Sequence, residues 1–178
     1  MEPRLAAILA TDVVGYSRLI RNEEAATLAT IKAHRVQFLE PIVAARNGRI
    51  VKLMGDGLLI EFPSAVEVVR CAMDMQHYVR IDTADMPEGA KVRYRIGLNV
   101  GDIVVEQGDI HGDGVNVFDQ MKTKLDLTVE DLRMRTVKNI SDPVHVFSLV
   151  LDDEAAAIVS PIAPVAETIK ALAVRRME

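Results

Sequence analysis

A chain of 178 residues, 49% hydrophobic and 26% charged, is long enough for one domain with a sizeable core and too apolar to be disordered. Its net charge of −5 and its 4% aromatic content argue against a broad nucleic-acid face, which needs basic side chains and stacking platforms. The single cysteine, Cys71, excludes an internal disulfide framework and suits a reducing cytoplasm, and no run reaches the about 18 apolar residues that a membrane helix needs.

The apolar run Leu5–Ala10 is short and leads straight into Thr11-Asp12, unlike a signal peptide. Residues 4–11 are largely apolar throughout and predict a strand buried on both faces. A turn over Asp12–Ser17 follows. Leu28, Ile31, His34, Phe38 and Ile42 recur at helical spacing and predict a helix over 23–46, which Pro41 can kink or divide and Asn47-Gly48 ends. The runs Arg49–Met54 and Leu58–Phe62, joined by Gly55-Asp56-Gly57, predict a hairpin. Ser64 caps a second helix over about 65–80, with Glu67 completing a capping box. Residues 82–90 read as a loop, Val92–Val100 as a strand, and Ile103–Glu106 as a further strand reached through the turn at Gly101-Asp102. A Gly/Asp-rich loop over 107–114, a short helix near 116–125, and strands near 133–139 and 144–150 complete the series.

That order predicts an α+β fold, a ferredoxin-like antiparallel sheet with helices packed on one face. Residues 1–151 form the expected domain. Residues 152–178 read as a linker followed by a C-terminal helix, cut from a larger protein.

Asp12 ends the first strand and Asp56 sits at the hairpin tip, so a sheet pairing these elements can bring both carboxylates to one edge. Two carboxylates with phosphate oxygens suit Mg²⁺ or Mn²⁺. Spacing alone favours reading Asp12 as a helix cap and Asp56 as a turn residue. The turn Val13-Val14-Gly15-Tyr16-Ser17 offers successive backbone N–H groups that could cradle phosphate, although it matches no established glycine-rich phosphate loop. His34, His77, His111 and His145 have no metal-ligand spacing and read as structural, and Cys71 reads as a small buried hydrophobe.

Three longer stretches, Ile8–Ser17, Gly48–Phe62 and Arg95–Val117, together resemble the class III adenylate/guanylate cyclase domain, closest to its proteobacterial type. The likeness runs from about residue 4 to 150. It implies that Asp12 and Asp56, with Val13 beside them, hold two Mg²⁺ or Mn²⁺ ions per active site. One ion would activate the ribose 3′-hydroxyl of ATP and the other would hold the triphosphate. Val14, Gly15 and Tyr16 would lie against the substrate. Lys52 matches the lysine that hydrogen-bonds the purine and Asp109 its partner, a pair suited to adenine because the aspartate accepts from the exocyclic amine. Asn116 matches the asparagine that positions the ribose, and Lys138 resembles the lysine that reaches the terminal phosphates. The implied activity is conversion of ATP to cyclic AMP and pyrophosphate by a cytoplasmic homodimer. Asp12 and Asp56 would come from one subunit, and Lys52, Asp109 and Asn116 from the other. Neither nucleic acid nor membrane is an expected partner.

One stretch departs from the family pattern. The position four residues after Asn116, an arginine in the family, is Gln120 here, and an uncharged amide cannot replace an arginine clamp on a phosphate. A helix and a short strand, roughly 20 residues, are missing after Val117. Either the molecule contains a segment absent from the sequence as read, or the deletion is real and the domain is a catalytically inactive nucleotide-binding or regulatory module. The damage that losing a core strand would do favours the first.

Overall fold

The computed structural model describes residues 4–106, 109–111, 129–135 and 144–149, with side chains placed from Ala6 to Asn99 and at Arg133. The described chain runs β1 (Arg4–Val13), α1 (Tyr16–His34), a π-helical turn (Arg35–Leu39), α2 (Glu40–Ala45), β2 (Arg49–Met54), β3 (Gly57–Phe62), α3 (Ala65–Asp82), a 3₁₀ turn (Glu88–Ala90), β4 (Tyr94–Glu106), β5 (Asp109–His111), β6 (Val129–Arg135) and β7 (Val144–Leu149). Strands β2-β3-β1-β4-β5 form one sheet in that order, and β6 and β7 pair as a separate ribbon. This is the α+β arrangement that the element order predicts.

β1 is the central strand, antiparallel to β3 on one side and β4 on the other. Its residues alternate. Ala7, Leu9 and Val13 join the buried core beneath the helices, while Ile8, Ala10 and Asp12 are half-buried on the opposite face. The expectation of burial on both faces is therefore corrected, because among the described residues the helices pack only against the face that carries Ala7, Leu9 and Val13. β3 adds Leu58, Ile60 and Phe62 to the core, and α3 adds Val68, Val69, Ala72, Met75 and Val79. Phe38 stacks on Tyr78 with ring centroids 3.7 Å apart, which joins the π turn to α3. Each such large side chain contributes about 1.5–3 kcal/mol through burial. Cys71 is fully buried among these residues, and burial pushes its thiol well up from its ordinary range.

Helix α1 begins at Tyr16 rather than near residue 23. Gly15 adopts a left-handed conformation (φ 68°) that turns the chain from strand straight into helix. The predicted start coincides with a break at Glu23 (φ −151°, ψ 81°), so the regular spacing marks only the part after that break. Pro41 divides the second half as its chemistry requires. It lacks an N–H and occupies the first turn of α2, and the helix widens into the π turn just before it. Asn47 holds the positive φ of 56° that ends α2.

The Ser64 Oγ accepts from the Val66 N–H at 3.2 Å, as an N-cap should. The Glu67 carboxylate reaches Arg70 and Arg46, where the capping-box reading had directed it back to the cap. The two strands expected over 92–106 are a single strand, β4. Gly101 and Asp102 pair with Ala6 and Leu5, so the long ladder along β1 carries β4 through the expected turn. Asp109–His111, read as loop, pairs back onto β4 as β5. β6 starts at Val129, ahead of its expected position. The predicted helix near 116–125, the Ser141–Pro143 separator and the segment 152–178 lie outside the described residues. Among the described residues, no helix is long and apolar enough to cross a membrane.

Candidate active site

The two aspartates lie at the same end of the sheet because of what their neighbours are. β2 and β3 are joined by the two-residue turn Gly55-Asp56, with Met54 paired to Gly57. The tip is then fastened to β1 in two ways. The Leu58 N–H donates to the Thr11 Oγ1 at 3.1 Å. Gly57 packs so tightly on β1 that a Cβ added to it would fall 2.0 Å from the Thr11 carbonyl oxygen. No residue with a side chain fits there without moving one strand. Asp56, next to Gly57, is thereby set beside the end of β1 that carries Asp12. Asp12 does not cap a helix, since Gly15 holds the N-cap position of α1.

β4 forms the other wall. Arg95 lies directly across from Asp12 in the ladder. Its Nε donates to one carboxylate oxygen at 3.0 Å and its Nη2 to the other at 2.5 Å. Tyr94, one residue earlier, points the other way into the core. His34, 3% exposed, reaches the Tyr94 hydroxyl with Nδ1 at 3.2 Å and the Asp82 carboxylate with Nε2 at 2.9 Å. A carboxylate can only accept, so in the neutral ring Nε2 donates to Asp82 and Nδ1 accepts from Tyr94. Burial lowers the His34 pKa against the opposing pull of Asp82. Burial, with the Asp82 charge in support, pushes the Tyr94 hydroxyl up. Gln76 donates to the Tyr94 carbonyl at 2.8 Å. The start of β4 is thus tied to α1 and α3, and that tie sets which residue faces Asp12.

The turn between β1 and α1 differs in one respect from the expected cradle. The Val14 N–H donates to the Arg93 carbonyl at 2.8 Å and so belongs to the sheet. That leaves Gly15 and the first turn of α1 from Tyr16 on, where helix geometry leaves N–H groups without partners inside the helix. The side chain of Val13 is buried and its backbone ends β1. Lys52 is exposed on the outer strand β2, and Asp109 lies on the opposite outer strand β5, so strand pairing does not bring them together. Asn116, Gln120 and Lys138 lie outside the described residues.

The sequence reading missed Thr11, Tyr94 and Arg95. Arg95 begins one of the three recognisable stretches, yet only the β1–β4 register shows what it faces.

A solved structure described as an adenylate/guanylate cyclase/hydrolase from Silicibacter pomeroyi superposes on this chain with a TM-score of 0.75. It shares 37% identity, over 85% of this chain and 99% of that one. The chain belongs to the class III adenylate/guanylate cyclase family. Among curated proteins, "Putative adenylate cyclase 3" of Rhizobium meliloti (strain 1021) is 39% identical over 171 residues, 85% of this chain and 29% of the relative. An adenylate cyclase of Streptomyces coelicolor is 30% identical over 121 residues, 68% of this chain and 30% of that protein. This cyclase-family chain spans less than a third of the length of either curated relative. No family model matches it.

The sequence runs without a break from Val117 to Phe118, so the roughly 20 residues that the family pattern places there are not in it. The explanation by a hidden segment falls, and the real deletion leaves Asp12, Asp56 and the Gly15 turn in place, so it does not by itself decide between an active and an inactive domain.

Proposed function

We propose that this domain makes cyclic AMP from ATP, with two divalent ions, at the interface of a homodimer. The observation that carries this reading is the Gly57 contact, which seats the Asp56 turn against the strand end bearing Asp12. The donor set fits Mg²⁺ or Mn²⁺. Asp12 and Asp56 supply hard carboxylate oxygens, and the Val13 backbone adds a carbonyl. Among the described residues no group of three or more acidic, histidine or cysteine side chains is gathered. An ion held by two carboxylates would keep several waters and take its remaining ligands from substrate phosphates. When bound, the ions would lower the charge on the triphosphate and ease loss of the 3′-hydroxyl proton.

The chain's own residues would supply positioning. Gly15 and the first turn of α1 would receive phosphate oxygens on backbone N–H groups. Lys52 and Asp109 would read adenine, the lysine donating to a ring nitrogen and the aspartate accepting from the amine. Asn116 would orient the ribose and Lys138 would meet the terminal phosphates. The 3′-oxygen then bonds to the α-phosphorus as the bond to the leaving pyrophosphate breaks, with the hydroxyl proton lost to solvent. Such chemistry depends chiefly on orientation and charge. The placement of Lys52 and Asp109 on opposite outer strands, and the half-open sheet face with Ile8 and Leu59, support a site completed by a second copy of the chain.

Gln120 and the missing helix favour a second reading, a domain that binds nucleotide and relays that binding without turnover. Product formation from ATP, and separately from GTP, with Mn²⁺ at micromolar protein, separates the two. The expected result is cyclic AMP from ATP alone, abolished in Asp56→Ala with the fold intact by circular dichroism. Retained ATP binding with no product from either nucleotide would replace the first reading by the second.

A further inference from the structure

Both oxygens of Asp12, one of the two carboxylates of the proposed metal site, are taken by one guanidinium. Arg95 holds them through two hydrogen bonds of 3.0 and 2.5 Å from the facing position of the neighbouring strand. The pair is open to water, with 75% of the Arg95 side chain and 42% of the Asp12 side chain exposed. A planar fork on a carboxylate is a geometrically specific arrangement that lysine does not reproduce. A divalent ion on the same carboxylate would stand within a few ångströms of the guanidinium, and the two cations would repel each other.

We infer that Arg95 is an ion-exchange latch: it occupies Asp12 while the site is empty and must swing aside for a divalent cation to bind. The inference rests on the metal-site reading above. Three features make the exchange workable. Exposure keeps the latch weak, because water and salt screen a surface pair. The long arginine side chain can leave without moving the backbone. The backbone itself stays in place, because Tyr94, one residue earlier, is held through His34, Asp82 and Gln76. The latch is thus a mobile side chain on a fixed strand. Arg95 acts on the cation only through Asp12, so its role is one of positioning.

The test is Mn²⁺ binding to the full chain without nucleotide, followed by the loss of the free-ion signal in electron paramagnetic resonance. Arg95→Gln should bind Mn²⁺ about fivefold more tightly than the wild type, the lower end of ordinary site coupling. Arg93→Gln removes an equal charge two residues away, from an arginine paired with Glu88, and should leave the affinity unchanged. Arg95→Lys keeps the charge but loses the fork, and should fall nearer to Gln than to wild type. Wild-type affinity in Arg95→Lys would reduce the effect to net charge and overturn the latch. Equal affinity in Arg95→Gln and wild type, with binding lost in Asp56→Ala, would overturn the latch and leave the metal site standing. Mn²⁺ bound by no variant, or bound undiminished in Asp56→Ala, would overturn the metal site and the latch with it.

Discussion

Two arginine–aspartate pairs in this molecule share their chemistry and differ in their surroundings. Arg46, at the end of α2, reaches Asp74 of α3 through Nε and Nη2, both at 2.9 Å, with side chains only 13% and 4% exposed. Glu67 approaches the same guanidinium at 3.6 Å. Those two nitrogens share one oxygen of Asp74, whereas Arg95 takes one oxygen of Asp12 with each nitrogen, and does so at an open sheet edge. In the helical layer, low dielectric makes the pair costly to form and costlier to break. Burial pushes the Asp74 carboxyl up to about 6 despite the Arg46 charge, and its second oxygen is buried with no hydrogen-bond partner among the described residues. At the sheet edge, the fork costs little and holds little. One pair fixes α2 on α3, and the other leaves a functional carboxylate exchangeable.

The sharpest way to break this contrast is at the buried pair. Arg46→Met should cost about 3–5 kcal/mol, since it leaves the Asp74 carboxyl buried without its partner, either charged at a desolvation cost or forced to take up a proton, and urea unfolding would measure it. A loss no larger than an ordinary surface substitution would mean that water already reaches the pair. Replacing both partners, as Arg46→Met with Asp74→Leu, should recover most of that stability.

The pH dependence is the next largest effect and isolates Asp74. Its folded pKa, about 6, lies above the ordinary 3.8, so the folded state binds the proton more tightly. The stability gained from that proton is present below about pH 4 and is lost as pH rises through about 6. The stability of the wild type relative to Asp74→Asn should therefore fall over that window and stay level above it. His34 has the opposite sign. Its lowered pKa means that stability is lost as pH falls below its ordinary value of 6.5. Because both proteins carry it, it cancels from the difference.

Gly57→Ala acts on the scaffold of the exposed site. A Cβ at 2.0 Å from a backbone oxygen forces β1 and β3 apart, at a cost of about 1–3 kcal/mol. Turnover should fall by more than this stability change explains, because Asp56 moves with the strand. Activity measured well below the melting temperature would separate the two effects. The smallest change is expected at the sheet edge, where Arg95→Gln should leave the melting temperature unaltered, as differential scanning calorimetry would check.

Much of this fold is legible in the sequence, and the illegible parts have specific causes. The hairpin around Gly55-Asp56 and the Ser64 cap follow from local chemistry and appear where expected. The start of α1 depends on one backbone angle at Gly15, and its apolar spacing is interrupted at Glu23, so periodicity locates only half of the helix. β4 is one strand because β1 offers a partner at every step, and no local pattern carries that information. The aspartates are identified by the resemblance, whereas Arg95 is identified by register alone. Val14 shows the reverse. It sits in the recognised turn, but the ladder to Arg93 takes its N–H.

The place of β1 in the middle of the sheet also bears on how the protein is made. This strand leaves the ribosome before either of its neighbours, and β4 begins only at Tyr94. Until then, the row of its backbone amides that faces β4 has no native partner. Pairings between segments so distant in sequence form slowly and leave nascent chains prone to association. Synthesis of this domain should therefore call on a holding chaperone from the emergence of Leu5–Val13 until β4 has been delivered.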